Sequence, residues 1–325
     1  MIDRVAVTRS VRNVLVFLMM VAVCASISSA SQSAWRKLNL AHSPSPRVNM
    51  VMAYDPAGKN IVMFGGYDGT SYLNDTWIFN GNDWIQLNPT NAPPARSASA
   101  MSFDRVTGTL VLFGGYNGNQ YLGDTWLWDG ATREWTEANP ATRPKAVTLP
   151  MLYTDPLNGH AGMVGGYDGN LYRNETWQWT GTDWLRLHPK TVLWARGAAV
   201  VANDVAHKKV VIFGGLADLN PNNTWTWDGV NWKMENPATQ PPLVFYIPAA
   251  YDPVLGRVVM YAGISRQDAT WTWTGDDWAL VPALTPPPLL NSQGMAFDVK
   301  TNELIMFGGA VQTTIVNDTY RLVTK

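Results

Sequence analysis

The sequence predicts an all-β protein, a six-bladed β-propeller closed by its own N-terminal strand. Three observations predict it. First, an aspartate followed ten residues later by a pair of small residues recurs six times. The copies are Asp55 with Gly65-Gly66, Asp104 with Gly114-Gly115, Asp155 with Gly165-Gly166, Asp204 with Gly214-Gly215, Asp252 with Ala262-Gly263 and Asp298 with Gly308-Gly309. They lie 46 to 51 residues apart, a spacing typical of propeller blades with a glycine pair after an apolar run. Second, each pair is followed by a strand opening Thr-Trp or Thr-Tyr, at Thr76, Thr125, Thr176, Thr224, Thr270 and Thr319. Third, the sixth unit has only three strands of its own. The motif of the fourth stands at the front of the chain, where Trp35-Arg36-Lys37-Leu38 matches Trp84-Ile85-Gln86-Leu87 and Trp184-Leu185-Arg186-Leu187.

In chain order, residues 1–30 read as a signal peptide. Arg4, Arg9 and Arg12 give a basic start, Val14 to Ala25 an apolar run, and Ser28-Ser29-Ala30 a cleavage site of small residues. The run is shorter than the about 20 residues that span a bilayer. The expectation is a secreted or periplasmic chain without a membrane span after processing. Cleavage would remove Cys24, the only cysteine, leaving a core large enough to hold without disulfides. Residues 31–325 are expected to form a monomeric propeller. In blade one the strands fall near Val48–Tyr54, Asn60–Phe64, Thr76–Phe79 and Trp84–Leu87. Asn80-Gly81 and Asp228-Gly229 supply the positive φ of tight hairpins. Ala34–Leu38 is expected to pair with Asp318–Val323 as the outer strand of blade six, leaving no open edge.

An antiparallel meander alternates its connections between two ends. The turns after Asp55 and at Gly81 therefore share one end, where Pro56-Ala57-Gly58 and Leu157-Asn158-Gly159 read as turn grammar. The loops after the glycine pairs share the other end with the linkers between blades. These loops are richer: Tyr67-Asp68-Gly69, Tyr116-Asn117-Gly118 and Tyr167-Asp168-Gly169. Arg47, Arg96, Lys145 and Arg196 stand at the starts of the innermost strands, with Leu243 and Leu289 in blades five and six. The spacing predicts an arc of cations at the channel mouth, suited to bidentate capture of a carboxylate or other anion. Tyr67, Tyr116, Tyr167 and the out-of-phase Trp194 complete the candidate ligand site. The other tryptophans fall in phase and are expected to pack between blades, and the six aspartates to cap turns.

Composition narrows the function. A formal net charge of −1 lacks the basic excess of a nucleic-acid binder. His42 and His188 are expected on the loop-rich end and His160 and His207 on the other, with no metal-ligand spacing. No nucleophile signature is present. No metal, cofactor or catalytic residue is therefore nominated.

The segment Gly65-Gly66-Tyr67-Asp68-Gly69-Thr70-Ser71-Tyr72-Leu73-Asn74-Asp75 resembles the kelch repeat of substrate-adaptor domains and of the galactose oxidase superfamily. The resemblance spans nearly all of residues 35–325. Galactose-oxidase-like copper chemistry needs a cysteine-modified tyrosine, and the processed chain has no cysteine. In kelch adaptors the equivalent arginines contact acidic peptides, which implies such a role for the cation arc. Secreted six-bladed kelch propellers also include sialate mutarotases. That implies an alternative, a cofactor-free sugar-acid epimerase with the arc as clamp and Glu175 or Asp168 as acid or base. The leading expectation is an exported, non-catalytic kelch protein. Its loop-rich face would bind a protein partner or an anionic small-molecule or carbohydrate ligand. A structural envelope component is the third reading.

Overall fold

The computed structural model describes residues 33–217, 221–263, 269–281 and 285–324. The expected signal segment, residues 1–30, lies outside them. Six four-stranded antiparallel sheets form the blades. Blade one comprises Val51–Asp55, Asn60–Tyr67, Tyr72–Phe79 and Trp84–Leu87. The inner strands of the other blades are Ala100–Asp104, Met151–Thr154, Val200–Asp204, Ala249–Asp252 and Gly294–Asp298. Each packs on the next, and the sixth packs on the first, so the ring is closed. Among the described residues no helix is long and apolar enough to cross a membrane.

Closure follows the sequence expectation to within one residue. Ser33–Lys37 is the outer strand of blade six and pairs with Thr319–Thr324, with Ser33 opposite Thr324 and Lys37 opposite Tyr320. Lys37 Nζ also meets Asp318 Oδ1 at 2.7 Å across the seam.

Three sets of bonds tie blade to blade, each built on the repeat. The innermost is a hoop of backbone bonds. The amides of Asn49, Ala98, Leu149, Ala198, Tyr246 and Ser292 each donate to the equivalent carbonyl of the preceding blade, at 2.8–3.2 Å, with Asn49 donating to Ser292. All six residues hold φ between 52° and 59°, in the left-handed region that L-residues enter only under constraint. This kink is why the first strand begins at Val51 and not at Val48.

The second set uses tryptophan. The Nε1 of Trp35, Trp84, Trp135, Trp184, Trp232 and Trp278 each donates to the repeat threonine of the third strand of the preceding blade, at 2.9–3.0 Å. All six rings are buried. The repeated third-strand threonine and the repeated fourth-strand tryptophan are thus two halves of one inter-blade bond.

The third set is incomplete. The cassette aspartates cap their turns as expected, Asp55 accepting from the amides of Ala57 and Gly58. Two of them also accept from the next blade's third-strand tryptophan: Asp55 from Trp128 at 3.3 Å and Asp155 from Trp227 at 2.8 Å. His160 and the Ala161 amide occupy Asp104 instead, and His207 occupies Asp204. Trp179 and Trp273 are accordingly left without an acceptor.

Candidate functional site

The double glycine organises the loop-rich end. Gly65 and Gly66 hold φ of 65° and 107°, and a Cβ on Gly65 would lie 2.6 Å from the Arg96 carbonyl oxygen. Only glycine allows that approach. The bend turns the first glycine's carbonyl toward the linker, and an arginine meets it there.

All five N–H groups of the Arg47 guanidinium are engaged. It donates to the carbonyls of Ser45 and Gly65, to Ser45 Oγ, and bidentately to Asp75 at 2.6 and 2.8 Å. Arg96 repeats the arrangement on Pro94, Gly114 and Asp124, with carboxylate distances of 2.7 and 2.6 Å. Both arginines are buried, at 1% and 0% exposure. The same carboxylates accept from Trp77 and Trp126 Nε1. Burial by itself pushes the Asp124 carboxyl up. The hydrogen bond and charge of Arg96, with the Trp126 bond, outweigh this and hold it below the usual carboxylate range.

Blade four keeps the arginine but not the acid. Arg196 is fully buried and donates to the carbonyls of Trp194, Gly214 and Pro221 and to Asn223 Oδ1. Burial without a carboxylate pushes its pKa down to about 10. Asn223 otherwise matches Asp75 and Asp124, since it also accepts from Trp225 Nε1 at 3.0 Å. Asn223→Asp is therefore expected to stabilise the protein by about 1–2 kcal/mol, the difference between a neutral and a charge-assisted bond. Urea unfolding measures it. A loss of stability would mean that the carbonyl cage already solvates the cation.

These positions correct the expected cation arc. Arg47, Arg96 and Arg196 are buried braces with their donors committed, not a half-ring facing a ligand. Lys145 is not their counterpart. The residue two before each left-handed kink is Arg47, Arg96, Val147, Arg196, Val244 and Leu290, and the carbonyls of the first five each accept a glycine-pair amide. The counterparts are thus Val147, Val244 and Leu290, not Lys145, Leu243 and Leu289. Lys145 is exposed, 3.7 Å from Asp168. In blade three Arg173 pairs with Glu175 and Asp168 in its place. His42 is also corrected: it bonds Asp83 at 2.7 Å, beside the outer turn and away from the loops.

The tyrosines hold their expected place, and three more join them. Tyr67 and Tyr72, Tyr116 and Tyr121, and Tyr167 and Tyr172 flank three successive loops, with centroids 4.9–5.2 Å apart within each pair. Tyr72 meets Tyr116 edge-on at 5.7 Å and Tyr121 meets Tyr167 at 6.0 Å. The result is one continuous ridge of six rings over blades one to three. The hydroxyls of Tyr67, Tyr116 and Tyr167 donate to the carbonyls of Gly69, Gly118 and Gly169 at 2.8–3.0 Å, which fixes the inner rings. A Cβ on Gly118 would lie 2.7 Å from the Tyr72 ring, so this glycine lets the next blade close on the ridge. The missed signal was the spacing Tyr-Asp/Asn-Gly-x-x-Tyr in three loops. Trp194 stands 45% exposed against Trp225, with centroids 5.9 Å apart. Among the described residues no group of three or more His, Cys, Asp or Glu is placed to hold a metal.

A closed ring of four-stranded blades braced at double glycines defines a kelch propeller. Residues 25–215, more than half of the chain, match the KLHDC2/KLHL20/DRC7 Kelch-repeats domain, and the chain belongs to the kelch-repeat family. A solved structure titled "Structure of YjhT" is similar in fold, with a TM-score of 0.67 and 14% identity, covering 88% of this chain and 99% of that one. A comparison with curated proteins gave no match.

Proposed function

We propose that this kelch propeller is an exported, non-catalytic binding module that holds a polypeptide partner on its loop-rich face. The observation that supports this reading is the tyrosine ridge. Rigid aromatic rings with polar edges supply large contact area at little entropic cost, and loops of Tyr, Gly, Asn and Ser are the composition of protein-recognition surfaces. Export is supported by the basic, apolar and small-residue succession at the front of the chain. Of the nominated residues, Tyr67, Tyr116, Tyr167, Trp194 and Lys145 contact the partner in this reading, while Arg47, Arg96 and Arg196 hold the frame. The epimerase alternative needs a free cationic clamp, and the committed guanidiniums favour it less.

The test is selection from a random peptide library on the wild type, with Tyr72→Ser/Tyr121→Ser/Tyr172→Ser as the counter-target. Enriched peptides should lose at least about 2 kcal/mol of binding on the variant and depend weakly on salt, because the nearby charges are already neutralised. The variant's melting temperature should stay near that of the wild type. Peptides that bind both forms alike, or a glycan array that gives the only hits, would replace this reading.

A further inference from the structure

The turn-bearing end, which the sequence presents as mere connections, holds the roomier axial cavity. It has a volume of about 390 Å³, within the range of small-molecule sites. Tyr54, Phe103, Tyr251 and Phe297, each one residue before a cassette aspartate, ring its mouth. Met52, Met101 and Met295 lie among its walls, where flexible thioethers adapt to varied shapes. Several polar groups of the wall satisfy one another. Thr154 Oγ1 donates to the Phe103 carbonyl at 2.6 Å and lies 3.3 Å from Ser102 Oγ, and Asn203 bonds the Thr154 backbone through both ends of its amide. What remains open to a ligand is largely apolar.

Charge is arranged around the cavity in two rings. The inner turns carry Lys59, Arg105, Lys208, Arg257 and Lys300, all exposed, and none forms an ion pair among the described residues. The carboxylates of those same turns are the buried cassette aspartates and Glu303, which pairs with Arg321. Arg105 is the charged side chain of the cavity lining. Aliphatic tips stand beside the cations: Val106, Leu157, Val205, Val254 and Val299, each more than half exposed. The outer turns carry acids, at Asp83, Asp129, Asp183, Asp228 and Asp277. A flat anionic surface would meet that outer acidic ring, whereas a single anion on the axis would meet mainly cations.

We propose that this bowl is a binding site for a small amphiphilic anion, an acyl chain or flat apolar ring bearing a carboxylate. The apolar part sits on the channel axis and the head group meets Arg105. The site is separate from the tyrosine ridge, and its test leaves the ridge intact. The probe is sodium dodecanoate, titrated calorimetrically below its micellar concentration into the purified full propeller. Saturable binding with one site per chain is expected. Arg105→Glu should weaken it at least about tenfold, the loss of one charge-assisted contact. Ala250→Phe, which narrows the bowl, should abolish it. If Ala250→Phe fails to fold, the exposed Arg105 decides alone. Sedimentation with phosphatidylglycerol vesicles distinguishes a free amphiphile from a lipid surface, and no co-sedimentation is expected. Absence of saturable dodecanoate binding, or binding unchanged in Arg105→Glu, overturns the proposal. Vesicle binding without dodecanoate binding assigns the face to a membrane instead.

Discussion

Removal of residues 33–38 is expected to destroy the cooperative unfolding of the propeller and to shift it from monomer to aggregate. The segment supplies the outer strand of blade six and pairs with Thr319–Thr324 along its length. Without it, that strand becomes an open edge, a template for pairing with other chains. Trp35 is the single most costly group within it. Its ring is buried, its Nε1 donates to Thr270 at 2.9 Å, and it meets Tyr261 edge-on at 5.7 Å. Trp35→Ala alone should cost about 3–5 kcal/mol. Size-exclusion chromatography and urea unfolding of both variants measure this. A monomeric deletion variant that unfolds at the wild-type midpoint would mean that the other blades hold the ring without the seam.

The second large effect concerns the arginine braces. Asp124→Ala leaves the Arg96 guanidinium buried and without its carboxylate, and should cost about 3–5 kcal/mol. Arg96→Ala should be comparably severe, because it strands the Gly114 carbonyl and the acid together. The double variant should cost less than the sum of the two. Acid provides an independent check on the wild type. The Asp124 carboxyl is depressed in the folded state, so its contribution is fully present above the unfolded value of about 3.9. It is lost as pH falls through the folded value. Asp124→Asn should therefore flatten the stability profile below about pH 4. If Arg96→Ala changes stability by no more than about 0.5 kcal/mol, as surface substitutions do, the arginine is not a brace.

Much of this architecture was legible in the sequence because it repeats. Six aspartates, six small-residue pairs (five Gly-Gly and Ala262-Gly263) and six Thr-Trp or Thr-Tyr openings fall at one phase, and periodicity survives the loss of any single copy. Even the seam was legible, since Trp35 carries the phase of Trp84. The candidate site was less so. Linkers vary in length, so Lys145 after Pro144 looked like Arg47 after Pro46, although the kink at Leu149 places Val147 at that phase. Side-chain burial leaves no mark in a charge pattern: the acids that neutralise Arg47 and Arg96 lie 28 residues away, on another strand of the blade. The tyrosine ridge shows the converse. Its first members stood out beside the glycines, but Tyr72, Tyr121 and Tyr172 gain meaning only when the ring brings each against the next loop.

The kinked residues at the channel mouth bear on how such a protein enlarges. Every link of that hoop is the same amide-to-carbonyl bond between equivalent residues, and none of the links uses a side chain. Donors and acceptors therefore balance for any number of members. A duplicated cassette would arrive with its own link ready-made, as would its indole and hydroxyl at the next blade. Copy number is then governed by the wedge angle between neighbouring sheets, which depends on the bulk of the side chains packed there. Gene duplication can thus lengthen the chain by whole units while leaving the bonding at the axis chemically unaltered.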